Sequence, residues 1–191
     1  MNALAPRPAA VRDLSAHRAD FPILAQRVRN KPLVFLDSAA SAQKPESVIE
    51  AMAGAMRTQY ANVHRGVHWM SERTSDAYEG VRDTVAAFLG AGSRDEIVFT
   101  GSSTGAINLV AHCFGSIIPP GKVVLVSEME HHANIVPWQM LRDRAGVALR
   151  VVPVTADGEL DLAAYEAELA RGDVALVAIT HMSNVLGTVT P

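Results

Sequence analysis

The chain has 191 residues, of which 49% are hydrophobic, 19% charged and 5% aromatic, and its length is that of one average domain. Its 17 basic and 20 acidic side chains give a formal net charge of −3, which excludes the basic surface of a protein that binds nucleic acid or an anionic membrane. No apolar run approaches the roughly 20 residues of a transmembrane helix, and the N-terminus lacks the apolar segment of a secretory signal.

The first part of the chain predicts helices and one short strand. Residues 1–22 read as an N-terminal extension rich in Ala, Pro and Arg at its start, with a short helix over 13–18. The next predicted elements are a strand at 32–37, a helix over 45–60 with Pro45 in its first turn, and a helix capped by Ser71 or Thr74 and ended by Gly90.

Apolar strands alternate with helices in the rest of the chain. The predicted strands lie at 96–100, 123–127, 149–154 and 174–180. The predicted helices lie at 103–114, 133–144 and 161–170. This alternation is typical of βαβ units and predicts an α/β fold with a largely parallel sheet that is buried on both faces. Ligands of such sheets bind beyond the carboxyl ends of the strands.

Two polar clusters follow predicted strands. Residues 100–104 (TGSST) place hydroxyls and backbone N–H groups at a helix start, which suits a phosphate but also serves for ordinary helix capping. Residues 127–134 contain the adjacent His131 and His132, whose rings either stack on a planar ligand and move protons or simply face solvent. The residues by themselves leave both alternatives open.

Three further features carry weaker signals. His64 and His68 have the spacing of a zinc motif, but Arg65 stands at the position of its glutamate, and an arginine between histidines better suits a carboxylate or phosphate. Asn184, in an Asn/Gly turn, offers its amide to a ligand oxygen. Cys113, the single cysteine, lies in an apolar helix, where we expect a buried, inert thiol. Without a disulfide partner it favours a reducing compartment, the cytoplasm.

Four sequence motifs, taken together and in their order along the chain, identify a family more specifically than any single motif does. They are LDSAASAQKP at 36–45, VHRGVH at 63–68, EHHANIVPW at 130–138 and THMSNVLG at 180–187. Together they resemble the Suf-type cysteine desulfurases and related selenocysteine lyases, in the class V aminotransferase group of fold-type-I pyridoxal 5′-phosphate (PLP) enzymes. The resemblance implies that residues 23–191 are the first part of a three-layer α/β/α large domain, the N-terminal half of such an enzyme.

The resemblance also implies site residues and partners. It makes His131 the catalytic imidazole that stacks on the PLP ring. The implied cofactor-binding residues are Ser103, Thr104, His131 and Asn184. The implied substrate-binding residues are Ala39, Ala40, His64, Arg65 and Asn184. The implied partners are L-cysteine, a second copy in a homodimer and a Suf sulfur-acceptor protein for iron–sulfur cluster assembly, with no metal, nucleic acid or membrane.

The sequence departs from this family in two respects. The family's phosphate cup reads RGTTE or a close variant, whereas residues 101–105 here read GSSTG. The family's PLP-anchoring lysine and persulfide-forming cysteine come later than the matched segment. We therefore expect the native polypeptide to continue past Pro191, and the chain by itself to be inactive and to aggregate through the edge of its last strand. The alternatives are a non-enzymatic fragment that dimerises or binds a sulfur carrier, and a selenocysteine lyase.

Overall fold

A computed structural model describes residues 13–64 and 66–191 of the chain, which divides into two compact units, Met1–Ile97 and Val98–Pro191. The α-helices are α1 Glu46–Thr58, α2 Trp69–Leu89, α3 Ser103–Gly115, α4 Val136–Ala145 and α5 Leu162–Ala170. The strands are β1 Arg27–Val28, β2 Lys31–Pro32, β3 Val123–Ser127, β4 Ala148–Val152 and β5 Val174–Ala178. Short 3₁₀ helices span Ser15–Asp20, Pro22–Ala25, Arg94–Glu96 and His132–Asn134.

The two helices predicted in the first unit are present, with different starts. Pro45 is the residue that precedes α1 rather than a member of its first turn. Helix α2 begins two residues before Ser71 because the Nδ1 atom of His68 accepts a hydrogen bond from the backbone N–H of Met70 (3.2 Å), so the predicted caps at Ser71 and Thr74 are wrong. Gly90 ends α2 as predicted, with a left-handed φ of 72°.

The strand predicted at 32–37 is wrong over most of its length. Only Lys31 and Pro32 pair, in a short antiparallel hairpin with Arg27 and Val28. The carbonyl oxygen of Leu33 instead accepts a hydrogen bond from Nη2 of Arg18 (2.8 Å). The residues at 32–37 are thus apolar without forming a strand beyond Pro32. The helix predicted at 13–18 is a 3₁₀ helix, and it spans Ser15–Asp20.

The strand predicted at 96–100 is also absent. The chain forms the 3₁₀ helix Arg94–Glu96 instead, and residues 97–100 have no strand assignment. The guanidinium of Arg82 donates to the carbonyl oxygens of Arg94 (2.8 Å) and Ile97 (3.2 Å). The carbonyl of Ile97, which lies in the predicted strand, thus has a side-chain donor, and none of the strands in the described part of the chain pairs with residues 97–100.

The second unit contains the predicted parallel sheet. Its strand order is β4-β3-β5, and both pairings are parallel. The predicted helices form α3, α4 and α5 with shifts of a few residues at their ends. Helix α4 begins at Val136, after a separate 3₁₀ turn, because Pro137 has no N–H to bond to the preceding turn and fits the first turn of a helix.

The core of this unit lies on both faces of the central strand β3. Val124 and Val126 face α3 and α4, where they pack with Trp138 and Leu141. Leu125 faces the opposite side, in a cluster that includes residues of α5. Because successive strand residues alternate between faces, this arrangement gives three layers, helices on each side of a parallel sheet. The predicted α/β class is confirmed.

The junction between α3 and α4 is so close that a glycine is required there. A Cβ atom at Gly115 would overlap Cδ1 of Leu141 and lie 3.3 Å from Nη2 of Arg144. We expect Gly115→Ala to lower the free energy of unfolding by about 1–3 kcal/mol through overpacking, measured by urea denaturation. Gly80→Ala in α2, where nothing lies within 4 Å, should instead gain about 0.5–1 kcal/mol from helix propensity. Equal effects of the two substitutions would contradict this.

Among residues 13–64 and 66–191, no helix combines the length and the apolar character that crossing a membrane requires.

Candidate active site

Ser103 and Thr104 form the first turn of α3 and are both exposed. The preceding residue, Ser102, caps the helix, because its Oγ accepts a hydrogen bond from the N–H of Gly105 (3.1 Å). The first N–H groups of a helix have no acceptor within the helix, so those of Ser103 and Thr104 point outward beside their hydroxyls. Helix capping and anion binding are thus compatible here, because Ser102 caps the helix while Ser103 and Thr104 remain available to an anion.

His131 lies just after β3 with an exposed ring and a fixed orientation. Its Nδ1 atom accepts a hydrogen bond from the backbone N–H of Ala133 (3.0 Å). In the neutral imidazole this bond leaves the proton on Nε2, which therefore faces outward as a donor. His132, the next residue, stands edge-on to the His131 ring at a centroid distance of 6.2 Å. Of the two histidines, His131 is the one whose ring is held by the backbone.

A buried polar network supports this turn, and our sequence reasoning missed it. The carboxyl group of Glu130 accepts hydrogen bonds from Oγ of Ser127, Nδ2 of Asn134 (2.8 Å) and the N–H of Thr180 (2.8 Å). Asn134 in turn accepts from Nε1 of Trp138 (3.0 Å). The spacing of Glu130, Asn134 and Trp138 at steps of four residues was the signal available in the sequence.

Asn184 lies exposed in a hairpin that follows β5. Ser183, which is buried, shapes the turn, since its Oγ accepts hydrogen bonds from the N–H groups of Val185 (3.3 Å) and Leu186 (3.1 Å). The hairpin returns to the strand end, where Oγ1 of Thr190 donates to the carbonyl of Thr180 (2.6 Å). The ordinary Asn/Gly turn considered from the sequence is thus present, with Asn184 at its tip.

The second unit brings these predicted residues to one edge. His131 and Asn184 both follow the carboxyl ends of adjacent parallel strands, β3 and β5. Glu130 joins the two strand ends through Thr180. Helix α3, which begins with Ser103, packs against the 3₁₀ turn next to His131. Exposed hydroxyls, an oriented imidazole and an amide at the carboxyl edge of a parallel sheet form an arrangement suited to a phosphorylated planar ligand.

The remaining predicted site residues belong to the first unit. Ala39 and Ala40 lie in an exposed turn. Arg65 lies outside the described residues. His64, whose φ of 63° is left-handed, bonds through Nε2 to Oε1 of Glu79 (2.7 Å). Its hydrogen-bond partner is therefore a carboxylate of α2. Among the described residues there is no group of three or more His, Cys, Asp and Glu side chains that could hold a metal ion.

Glu79 is the centre of an ion-pair cluster with a pH-dependent contribution to stability. Burial raises the pKa of its carboxyl, but the hydrogen bond with His64 and the charge of Arg82 (3.0 Å) outweigh burial and hold the pKa below its ordinary value of 4.5. A carboxyl with a lowered pKa in the folded state stabilises the fold above its unfolded-state pKa, and this contribution is lost as the pH falls through the lowered value.

We therefore expect Glu79→Gln to be less stable than wild type at pH 7, because His64, Arg82 and Arg94 lose their shared acceptor charge. The difference in the free energy of unfolding should shrink as the pH falls and vanish once Glu79 is protonated in both states. Urea denaturation at a series of pH values measures it. A difference that stays constant down to the acid limit would contradict the assignment.

Cys113 is exposed, so the prediction of a buried thiol is wrong. Ile107 and Ala111, four residues apart, face the core from α3, and Cys113 lies two residues beyond, on another side of the helix. The apolar residues beside Cys113 in the sequence therefore did not indicate that its own side chain is buried.

Comparison with known proteins identifies the family of this chain. Residues 34–191 match the family model for class V aminotransferases. The curated cysteine desulfurase of Pectobacterium carotovorum subsp. carotovorum is 53% identical over 175 residues, which are 91% of this chain and 43% of that protein. The cysteine desulfurase of Dickeya dadantii is 54% identical, over 91% of this chain and 42% of its own length. The chain thus spans less than half the length of the curated relatives it matches.

Solved structures resemble the same part of the chain. The apo cysteine desulfurase of Thermococcus onnurineus has a TM-score of 0.83 and 35% identity, covering 95% of this chain and 43% of its own. The cysteine desulfurase CsdA of Escherichia coli, in an S-sulfonic acid form, has a TM-score of 0.75 and 36% identity, covering 95% of this chain and 44% of its own. Because the family model matches most of its residues, this chain belongs to the class V aminotransferase family.

Proposed function

We propose that this chain supplies the cofactor-facing first part of a PLP-dependent cysteine desulfurase. The whole enzyme would release sulfur from L-cysteine, form L-alanine and an enzyme persulfide, act as a cytoplasmic homodimer and pass sulfur to a Suf acceptor for iron–sulfur cluster assembly. The observation that carries the proposal is the His131 ring, which is exposed at the carboxyl end of β3 while its Nδ1 is held by the backbone.

The residues at this edge fit PLP. The outward N–H groups and hydroxyls at Ser103 and Thr104 match the needs of a phosphate dianion, which the positive end of the α3 dipole also favours. The ring of His131 offers a flat aromatic face with its edge fixed by Ala133. Asn184 adds an amide that can donate to a ring oxygen or to a substrate carboxylate.

PLP, when bound, supplies the electron sink for breaking bonds at the substrate carbon. In our proposal the residues of this chain orient the cofactor and the substrate and transfer protons. His131 holds the ring plane and presents the Nε2 proton, which it gives up and takes back as bonds rearrange. Asn184 orients the substrate side of the site, and we propose Ala39, Ala40, His64 and Arg65 as further substrate-binding residues on the strength of the family motifs in which they stand.

The chain's own lysines do not serve as the cofactor anchor in this proposal. Lys31 and Lys44 belong to the first unit, where Lys44 stands in the motif at 36–45 and Lys31 stands in none of the four motifs. Lys122 precedes β3, so it lies at the amino end of the sheet, and its Nζ donates to the carbonyl of Gly172 (3.3 Å). Since nucleophilic PLP chemistry needs a lysine amine and sulfur transfer needs a thiolate near the substrate, we propose that the 191 residues alone have little or no desulfurase activity.

The test measures the intact mass of the native polypeptide and then alanine release from L-cysteine in the presence of PLP. We expect release by the native polypeptide and none by the 191-residue chain alone. Alanine release by the isolated chain would contradict the proposed inactivity. A native polypeptide that turns over L-selenocysteine but not L-cysteine would instead make it a selenocysteine lyase.

A further inference from the structure

Glu130 is a buried carboxyl group, with 8% of its surface exposed, in the middle of the proposed site. Its three donors come from three different elements: Ser127 ends β3, Asn134 ends the 3₁₀ turn, and Thr180 follows β5. The side chain therefore joins the two strand ends and the turn that carries His131.

The direction of each bond in this network is settled by Asn134. Its Nδ2 donates to Oε2 of Glu130 (2.8 Å) and to the carbonyl of Ala178 (3.0 Å), while its Oδ1 accepts from Nε1 of Trp138 (3.0 Å). A flipped amide would face the Trp138 donor with its own NH2 and turn its oxygen toward two acceptors. Glu130 must consequently accept at Oε2 from Asn134 and at Oε1 from Thr180.

A glutamine cannot replace Glu130 in either orientation. If its NH2 group faces Asn134, two donors oppose each other there. If its NH2 group faces Thr180, it opposes a backbone N–H that has no freedom to turn. A carboxylate accepts at both oxygens, so the shape of the network fits an acceptor-only group and rejects its isosteric amide.

The network around Glu130 is bonded on one side to the turn that holds His131 and on the other side to the hairpin that holds Asn184. On one side, the backbone N–H of Asn134 donates to the carbonyl of His131 (2.7 Å), closing the turn whose Ala133 N–H orients the imidazole. On the other side, Thr180 bonds through Oγ1 to the carbonyl of Met182 (2.9 Å) at the base of the Asn184 hairpin. Movement at Glu130 would thus shift both contacts.

We propose that Glu130 is the positioning residue of this site, which holds the His131 ring and the Asn184 hairpin at a fixed separation for the planar cofactor. The proposal rests on the function proposed above. Glu130 does not touch the cofactor itself. It acts because one acceptor-only group satisfies donors from both strand ends, and burial excludes the water that could otherwise replace it.

The experiment compares Glu130→Gln with Glu128→Gln in the native polypeptide. Glu128 is two residues away and accepts one hydrogen bond, at Oε2 from the N–H of Val154 (3.2 Å), which a glutamine oxygen can also accept. Three measurements are made on each variant: hydrogen exchange of the Thr180 amide, the ¹⁵N shifts of the His131 ring, and the Kd for PLP by quenching of tryptophan fluorescence.

We expect Glu130→Gln to exchange the Thr180 amide at least tenfold faster, to convert the single Nε2–H tautomer of His131 into a mixture, and to weaken PLP binding at least tenfold. Glu128→Gln should stay within twofold of wild type throughout. Glu130→Asp keeps two acceptor oxygens, so it should retain more of the PLP affinity than Glu130→Gln. If Glu130→Gln does not fold, the shorter Glu130→Asp must itself show faster Thr180 exchange and weaker PLP binding than Glu128→Gln.

Wild-type values for all three measurements in a folded Glu130→Gln variant would overturn the proposal, as would equal losses in Glu128→Gln. Faster Thr180 exchange with unchanged PLP affinity would also overturn it, by making Glu130 merely structural. A wild-type native polypeptide that binds no PLP contradicts the proposed cofactor instead, and the His131 tautomer then still decides whether Glu130 positions the ring.

Discussion

Replacing His131 by alanine is expected, on the function proposed above, to lower the rate of alanine release by the native polypeptide about 10²–10⁴-fold, because the ring proposed to stack on the cofactor and the Nε2 proton proposed to be transferred are both lost. The adjacent His132 provides a matched control. It is also exposed, but among the described residues no backbone group forms a hydrogen bond with its ring. His132→Ala should therefore change the rate only a few-fold. Rates are measured as alanine formed from L-cysteine at saturating PLP.

A second variant separates the chemistry of His131 from its role as a cap. An asparagine at this position can still accept the N–H of Ala133, because asparagine is a favourable capping residue. The free energy of unfolding of His131→Asn in urea should therefore lie within about 1 kcal/mol of the wild-type value. Its rate of alanine release should fall as in His131→Ala, and it should bind PLP about tenfold more weakly because aromatic stacking is lost. A His131→Asn enzyme with the wild-type rate would exclude the imidazole from the reaction.

Replacing Leu125 by alanine is expected to reduce the free energy of unfolding by about 3–5 kcal/mol, the upper part of the range for buried leucines. Leu125 is 0% exposed, in the middle of the central strand, on the face that packs against Met129, Val152 and Leu160. Both neighbouring strands pair with β3, so the backbone cannot close around the cavity that the substitution leaves.

Leu162→Ala is the control for this substitution. Leu162 begins α5 on the same side of the sheet, but 47% of its surface is exposed. Its loss should cost about 1 kcal/mol or less, partly offset by the higher helix propensity of alanine. Urea denaturation followed by far-ultraviolet circular dichroism gives both values. A Leu125→Ala chain within 1 kcal/mol of wild type would show that β3 is not the centre of the core.

The predictable part of this fold is the part in which local pattern and tertiary role coincide. Strand β3 was predicted with its observed ends because its five residues are all buried between two helical layers, and such a strand is mostly apolar, as residues 123–126 are here. The run at 32–37 is also mostly apolar, but among the described residues it has no strand partner beyond Pro32, and Leu36 is 91% exposed. An apolar run indicates that a segment can be buried, but it does not show which strand, if any, the segment pairs with.

Only part of the predicted placement of the site residues rests on strands that the structure contains. His131 and Asn184 were named after predicted strands, and both follow the carboxyl ends of strands that are present, β3 and β5. Ser103 and Thr104 were also named after a predicted strand, but that strand is absent. Glu130 was not singled out, because glutamates are mostly exposed and nothing in its local sequence marks this one as buried. Its burial depends on Thr180, which is 50 residues away, and that separation is invisible to local pattern.

The sequence by itself determined the family, the α/β class and the chemical types of side chain available at the site, because motifs, apolar alternation and residue identity are local properties. Its 191 residues suffice for one domain by length, yet they cover less than half of the curated relatives they match. Tertiary structure alone decided which apolar runs found strand partners, that Cys113 is exposed, and that Glu130 joins two strand ends. Each of these depends on pairing between residues distant in the chain, and long-range pairing is set by the whole fold rather than by any single segment.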